Sequence, residues 1–229
     1  MSDIGLSDST ARGLLALLMA IPIAVFIGSF LIGSIPFGYL IGRSFYRTDI
    51  RSRGSGNIGA MNALRTLGAA GAIAVLLLDA LKGFVPALFA LLFFRGRLDF
   101  DNFPPGEQIM AAIAATGAIV GHCFSPWLKF RGGKGVATSF GALFALSWPV
   151  GLVAVGGWLV GAALTRYSSV GSMAASVLAP IALWLFTRSL PETAYAVFAA
   201  FLILFTHREN IDRLRRSSEN PIRVSRTRS

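Results

Sequence analysis

Charge and sulfur are both scarce in this sequence. Of 229 residues only 14% are charged, one is cysteine and two are histidine. The lone Cys123 excludes an intramolecular disulfide. Without a CxxC spacing it supplies no metal framework, so it is read as a packed small side chain. So few charges, set against 54% hydrophobic residues and a mean hydropathy of +0.65, exclude a soluble domain of this length. The chain is read as an integral membrane protein. Acidic residues are the rarer charge, 11 against 21 Lys and Arg, leaving a net charge of +10. Such an excess can mark nucleic-acid binding, but here the basic residues sit in short stretches between apolar runs and in the tail. Their partners are therefore anionic lipid headgroups or an anionic substrate, and no nucleic acid is expected.

Long uncharged runs are what the sequence does have. From Leu14 to Gly42 there is no charged residue, which exceeds both a signal-peptide core and the roughly 20 residues that span a bilayer. This run is the first retained span. Further apolar segments cover Gly68 to Phe94, Gln108 to Leu128, Gly135 to Val150, Gly151 to Leu164, Val170 to Thr187 and Thr193 to Phe205, making seven. The fourth and fifth are short and parted only by the turn Ser147 to Val150, so a five-span arrangement with a re-entrant hairpin competes.

Seven spans with the N-terminus outside put Arg43, Arg47, Arg51, Arg53, Arg65, Lys129, Arg131, Lys134, Arg166 and seven tail arginines on the inner side. Arg12, Arg95, Arg97 and Arg188 fall outside, and sixteen against four satisfies the positive-inside rule. The predicted fold is one all-α polytopic bundle. Residues 1–13 form an extracytoplasmic segment, 14–207 the membrane domain and 208–229 a basic cytoplasmic tail whose end is polar and disordered.

Three segments break the apolar pattern, and this orientation puts all three on the cytoplasmic side. In "RSRGSGNIGAMNALRTLG", Arg51 to Gly68, glycines let backbone amides approach a ligand, while Ser55, Asn57, Asn62 and Arg65 supply donors for a phosphate or hydroxyl. "FRGGKGVATSFG", Phe130 to Gly141, is not a Walker A loop. Gly135 stands where that motif needs a hydroxyl after the lysine. A glycine-rich turn entering a helix still presents free amides and a positive dipole end, to which Lys134 adds a charge. In "THRENIDRLRRSSE", Thr206 to Glu219, the HxxxxD spacing of His207 and Asp212 matches soluble-faced acyltransferases. Only 22 residues follow His207, too few for their downstream blocks, and the match is read as coincidence. Two other features sit in or beside spans: Asp79 and Lys82, three apart on one helix face, as a structural ion pair or a site-lining pair, and His122, near enough to the glycine loop to act as a base.

Together "GSGNIGAMNALR", "LLDALKGF", "GHCFSPWLKFRGGKGVAT" and "HRENIDRL" resemble, in order and spacing, the motifs of the bacterial membrane acyl-phosphate:glycerol-3-phosphate acyltransferase (PlsY) family, over about Gly33 to Glu219. The resemblance implies a seven-span enzyme of the bacterial cytoplasmic membrane. It would acylate the sn-1 hydroxyl of glycerol 3-phosphate from acyl phosphate, releasing lysophosphatidic acid and phosphate in the first step of phospholipid synthesis. It also implies a soluble acyl-phosphate-producing enzyme as partner. By position it places Ser55, Asn57, Asn62 and Arg65 in the substrate site. Lys134 becomes a phosphate ligand beside the amides of Gly132, Gly133 and Gly135 in the block that contains His122. The third block contributes His207, Asn210 and Glu219. Met61 and Ser217 depart from the threonine and glycine usual at their positions.

An acyl phosphate is already activated, so such an enzyme has chiefly to bring two anions together. No cofactor or metal is expected. Ser55, Arg65 and Lys134 would neutralise phosphate, and the hydroxyl's proton would go to His207, to His122 or to a substrate oxygen. A transporter of a small phosphorylated metabolite is the alternative, since it too would use intramembrane charges and glycine-rich helix ends.

Overall fold

A computed structural model describes residues 8–98 and 104–222. Among them the chain forms nine α-helices: α1 (Asp8–Gly33), α2 (Phe37–Tyr46), α3 (Ala60–Phe93), α4 (Gly106–Cys123), α5 (Val136–Leu146), α6 (Trp148–Thr165), α7 (Ser168–Thr187), α8 (Leu190–Thr206) and α9 (Arg208–Arg215). The expected all-helical membrane bundle is what forms. The segments 1–7, 99–103 and 223–229, which include most of the N-terminal segment, part of the outer loop and the end of the tail, lie outside the described residues.

Proline and glycine set the breaks. The expected first span is divided, because Pro36 has no amide to donate and biases Ile35 away from helix. The chain therefore restarts as the amphipathic α2. Gly68 adopts φ 82° and ψ −174° inside α3, a conformation open only to glycine. The turns before it, carrying Asn62 and Arg65, are thereby set off from the long span that follows.

Five stretches are long and apolar enough to cross a bilayer: 18–46, 60–93, 106–128, 148–165 and 168–187. A sixth exists if α8 and α9, bent by 53°, count as one. Seven are expected from the sequence. The difference centres on α5, whose 11 residues reach about 16 Å at 1.5 Å per residue, against a hydrocarbon core of roughly 30 Å. It stops at Ser147, which is extended (φ −158°, ψ 106°), and Pro149 then opens α6.

α4 is the central element, packed on α1, α3 and α8, with Ala111, Ala114, Ala115, Ala118 and Ile119 fully buried. Lipid tails are as apolar as leucine, so helices in a bilayer associate through close van der Waals contact at small residues. Two seams show it. A Cβ on Gly83 of α3 would lie 2.0 Å from the Thr138 carbonyl oxygen of α5, and one on Gly121 of α4 would lie 2.1 Å from that of Phe30 on α1. Outward, Ile73, Leu77, Leu81, Val85 and Phe89 repeat every four residues along α3 and are all about half exposed or more. A stripe that apolar and that long requires lipid rather than water.

Hydrogen bonds sort the connections to the two ends of the bundle. At one end the Ser189 hydroxyl donates to Gln108 Oε1 at 2.8 Å, joining the α7–α8 turn to the start of α4. At the other, the Ser125 hydroxyl and the Trp127 indole bond Ser34 at 2.6 and 2.8 Å, and the Ile222 amide donates to the Arg166 carbonyl at 2.8 Å. All three glycine-, asparagine- and arginine-bearing segments gather at this second end. Cys123 is buried in the core near α5, as a packed side chain should be.

Candidate active site

The first segment is organised by one side chain. Buried Asn62 accepts a hydrogen bond from the Ser55 amide (2.8 Å) and donates to the carbonyls of Ile50 (2.7 Å), Asn57 (2.7 Å) and Arg53 (3.2 Å). The loop is drawn so tightly over it that a Cβ on Gly54, which already sits at φ +57°, would lie 2.2 Å from Asn62 Oδ1. Asn57 closes a local turn by accepting from the Gly59 amide at 2.8 Å. Expected to touch substrate, Asn62 has its amide engaged by the loop, and its first task is to hold Ser55 and Asn57 in place.

The second segment also departs from expectation. The Gly132 amide donates to the Cys123 carbonyl and the Gly133 amide to that of His122, both at 3.0 Å. Neither amide is left for a phosphate. The two glycines instead fasten the loop to the last turn of α4, where a Cβ on Gly132 would lie 2.0 Å from the His122 carbonyl oxygen. Gly135 takes φ +85° to turn the chain into α5. The unpaired amides at this point include that of Gly135 and those of the first turn of α5, which begins at Val136, and the positive end of its dipole points the same way.

Lys134 is anchored from the third segment. Its ammonium donates to Asn210 Oδ1, and its carbonyl accepts from the Thr206 hydroxyl at 3.1 Å. Asn210 Nδ2 in turn donates to Glu219 Oε1 at 2.7 Å, the Ser169 hydroxyl to the same oxygen at 3.1 Å, and Arg213 Nε to Glu219 Oε2 at 2.8 Å. Burial works to raise the Glu219 pKa, but the bonds from Arg213 and Asn210 hold its carboxyl below the usual range. Glu219, expected in contact with substrate, is thus the hub that joins α9, α7 and the chain beyond α9. Arg65 reaches across to the same stretch, donating from Nη2 to the Asn220 carbonyl at 3.2 Å.

The two histidines differ. His207 closes α8, and its ring Nδ1 lies 2.8 Å from the Ile203 carbonyl. Only a protonated Nδ1 can make that bond, so in the neutral ring Nε2 carries the lone pair. His122 is 3% exposed, with Nδ1 3.7 Å from Asp79 Oδ1. Asp79 pairs with Lys82 at 2.8 Å, both side chains being almost wholly buried.

One cavity of about 570 Å³ collects these groups. Ser55, Asn57, Asn62, Arg65, His122, Lys134, His207, Asn210 and Glu219 all line it, whereas Gly132, Gly133 and Gly135 do not. Its other half is apolar, walled by Ile73, Leu76 and Leu77 of α3, Phe140 and Phe144 of α5, and Trp158 of α6. Sequence reasoning missed Arg213 and the serines Ser168, Ser169 and Ser172. Arg213 stands three residues after Asn210 and so shares its helical face, a signal the sequence offered. Among the described residues no three of His, Cys, Asp and Glu converge as metal ligands.

Partial burial, reinforced by Arg213, pulls the Lys134 pKa down to about 8. The ammonium is therefore complete below that pH and lost as pH rises through it. A phosphate monoester's own second ionisation lies near 6, so it is complete by pH 7. If Lys134 binds phosphate, the KM for the phosphorylated substrate should be flat from about pH 7 to 8 and rise about tenfold per unit above. A KM unchanged up to pH 10 would mean that no phosphate-binding ammonium titrates near 8.

A helical bundle whose interior cavity is cationic at one end and apolar along its length defines a membrane protein built to hold an amphiphile with an anionic head. The profile of the glycerol-3-phosphate acyltransferases matches residues 23–217. The chain is 44% identical over 193 residues to a glycerol-3-phosphate acyltransferase of Synechococcus sp. (strain JA-3-3Ab), covering 84% of this chain and 89% of the relative. It is 46% identical over 197 residues to that of Erythrobacter litoralis (strain HTCC2594), covering 86% and 92%. Crystal structures of PlsY, an integral membrane glycerol 3-phosphate acyltransferase, superpose with TM-scores of 0.79 for its glycerol 3-phosphate form and 0.77 for its lysophosphatidic acid form. Identities are 34% and 33%, covering 88% and 87% of this chain and 96% and 94% of PlsY. The chain belongs to the glycerol-3-phosphate acyltransferase (PlsY) family, and is an integral membrane enzyme of phospholipid synthesis.

Proposed function

We propose that the enzyme transfers a fatty acyl group from acyl phosphate to the sn-1 hydroxyl of glycerol 3-phosphate, giving lysophosphatidic acid and inorganic phosphate. The observation that carries this reading is the single cavity in which Arg65, Lys134 and Ser55 face an apolar trough. A water-soluble headgroup and an acyl chain each find a matching half. The hydroxyl oxygen attacks the acyl carbonyl carbon directly, the bond from that carbon to the bridging oxygen breaks, and this oxygen leaves with the phosphate, without an acyl-enzyme. Arg65 and Lys134, with the Ser55 hydroxyl and the first-turn amides of α5, neutralise the two phosphates and the charge growing on the leaving group. Nε2 of His207 accepts from the attacking hydroxyl, orienting it and able to take its proton. Asn57 contributes at the headgroup end. Asn210 and Glu219 act one step back, by fixing Lys134 and Arg213.

In this reading seven segments of the chain lie in the bacterial cytoplasmic membrane, α5 being the one too short to cross it alone. The N-terminal segment 1–13 is outside, 14–207 forms the acyltransferase bundle, and the basic residues 208–229 lie in the cytoplasm, where a soluble acyl-phosphate-producing enzyme delivers donor. The distribution of arginine and lysine supports it. So does the gathering of all three polar segments at one end of the bundle. α5 serves as the short fourth segment.

A membrane assay offering acyl phosphate and acyl-CoA separately with glycerol 3-phosphate tests the donor. Lysophosphatidic acid should form from acyl phosphate at least about a hundredfold faster, since the donor's phosphate is a ligand for Arg65 and Lys134 and a thioester offers them no such anion. Preference for acyl-CoA would overturn the assignment of donor.

A further inference from the structure

The buried group on α3 and α4 has no part in the chemistry above, yet its geometry leads to the glycine loop. Asp79 and Lys82 are paired at 2.8 Å, and Lys82 Nζ also donates to the Ile35 carbonyl at 2.8 Å, in the break between α1 and α2. The pair therefore ties α3 to that break. His122 faces it at 3.7 Å through Nδ1, too far for a hydrogen bond but close enough for charge to orient the ring. The opposite edge of the ring lies under the glycine loop. A Cβ built on Gly133 would fall 2.1 Å from His122 Nε2 and 2.5 Å from Cε1. The His122 carbonyl holds the Gly133 amide at 3.0 Å. Gly133 is thus gripped from below by the ring and from behind by the backbone of one residue, and Lys134 is the next residue along.

We infer that His122, seated on the buried Asp79–Lys82 pair, is a positioning residue that sets the height of Gly133 and so places the Lys134 ammonium in the cavity. This replaces the proton-acceptor role expected for His122, whose two ring nitrogens face the Asp79 carboxylate and the Gly133 backbone. The inference rests on the reading that Lys134 binds phosphate.

Calorimetric titration of the full-length protein in detergent, with glycerol 3-phosphate and separately with inorganic phosphate, tests it. Lys134→Ala should weaken at least one probe tenfold or more. His122→Ala should weaken that same probe about fivefold or more, and the double variant should bind within about twofold of Lys134→Ala alone, because a residue acting through Lys134 is silent once Lys134 is gone. Losses that multiply in the double variant, or His122→Ala binding like the wild type while Lys134→Ala is weakened, would overturn this inference alone. Wild-type binding by Lys134→Ala would overturn the phosphate reading with it.

Two further variants guard against a folding defect. His122→Gln carries an amide nitrogen to about where Nε2 lies and should recover part of the binding that His122→Ala loses; binding recovered with turnover still lost a hundredfold or more would identify a proton acceptor instead. Gly133→Ala, which drives a methyl into the ring, should lose binding, and adding His122→Ala should restore part of it. No restoration would mean that the ring does not set the loop.

Discussion

Lys134→Ala is expected to abolish acyl transfer while the protein still inserts in the membrane at normal levels, and Arg65→Ala to do the same. The reaction brings two phosphate-bearing molecules into one partly dehydrated cavity, where like charges repel strongly unless cations stand between them. Loss of one neutral hydrogen-bond donor to a developing oxyanion costs about 2.7–4 kcal/mol. Removal of a whole positive charge from this site should cost more, so turnover is expected to fall at least about a thousandfold. Lys134 bonds Asn210 and Arg65 bonds the Asn220 carbonyl, and each cation keeps further N–H donors for a substrate phosphate. Turnover per immunodetected protein in membranes is the measurement, and near-normal turnover by either variant would refute the proposed chemistry. Trapping of a covalently acylated enzyme would refute direct attack.

The second large effect is expected at Asn62, where the isosteric change should be no kinder than truncation. Asn62→Ala removes four hydrogen bonds that organise residues 50–57. At about 1 kcal/mol each, with added cost for buried carbonyls left unpaired, the ordered loop loses several kcal/mol. Asn62→Asp keeps the shape and the acceptor for the Ser55 amide, but turns a carboxylate oxygen toward the carbonyls of Ile50, Asn57 and Arg53. An ordinary polar contact would tolerate that exchange. Both variants should lose activity by at least about a hundredfold, with greater proteolytic cleavage between Arg51 and Arg53. An Asn62→Asp enzyme as active as wild type would return Asn62 to direct substrate contact.

Much of this was legible in the sequence, for local reasons. Hydropathy and the distribution of arginine need no tertiary information, so the helical membrane class follows from them, and Gly68 marks the break in α3 that an apolar count places at the same residue. Motif blocks picked out three polar segments, and nine of the expected site residues line one cavity. What did not follow were the partners across long separations. Lys134 and Asn210 are 76 residues apart and Glu219 and Ser169 are 50, and nothing in the local pattern says that the Glu219 carboxylate accepts from Asn210, Arg213 and Ser169. The amides of Gly132 and Gly133 looked free because the carbonyls that occupy them belong to the end of α4, whose nearness is set by packing. Helix length was hidden for another reason. An apolar run does not reveal where its helix stops, and the run from Gly135 to Val150 contains both α5 and the Ser147 corner.

The rim of the cavity carries a kinetic consequence. Ile73, Leu76 and Leu77 line it and are also 46–56% exposed on the outside of the bundle, while α5, on the facing wall, is half the length of a crossing helix. The trough is therefore bounded partly by the bilayer itself. For a donor dissolved in that bilayer, the quantity that governs encounter is its mole fraction among the surrounding lipids, not its amount per volume of buffer. For such a donor, diluting the membrane with inert lipid should slow the enzyme at constant total donor, the mark of a substrate met by two-dimensional diffusion.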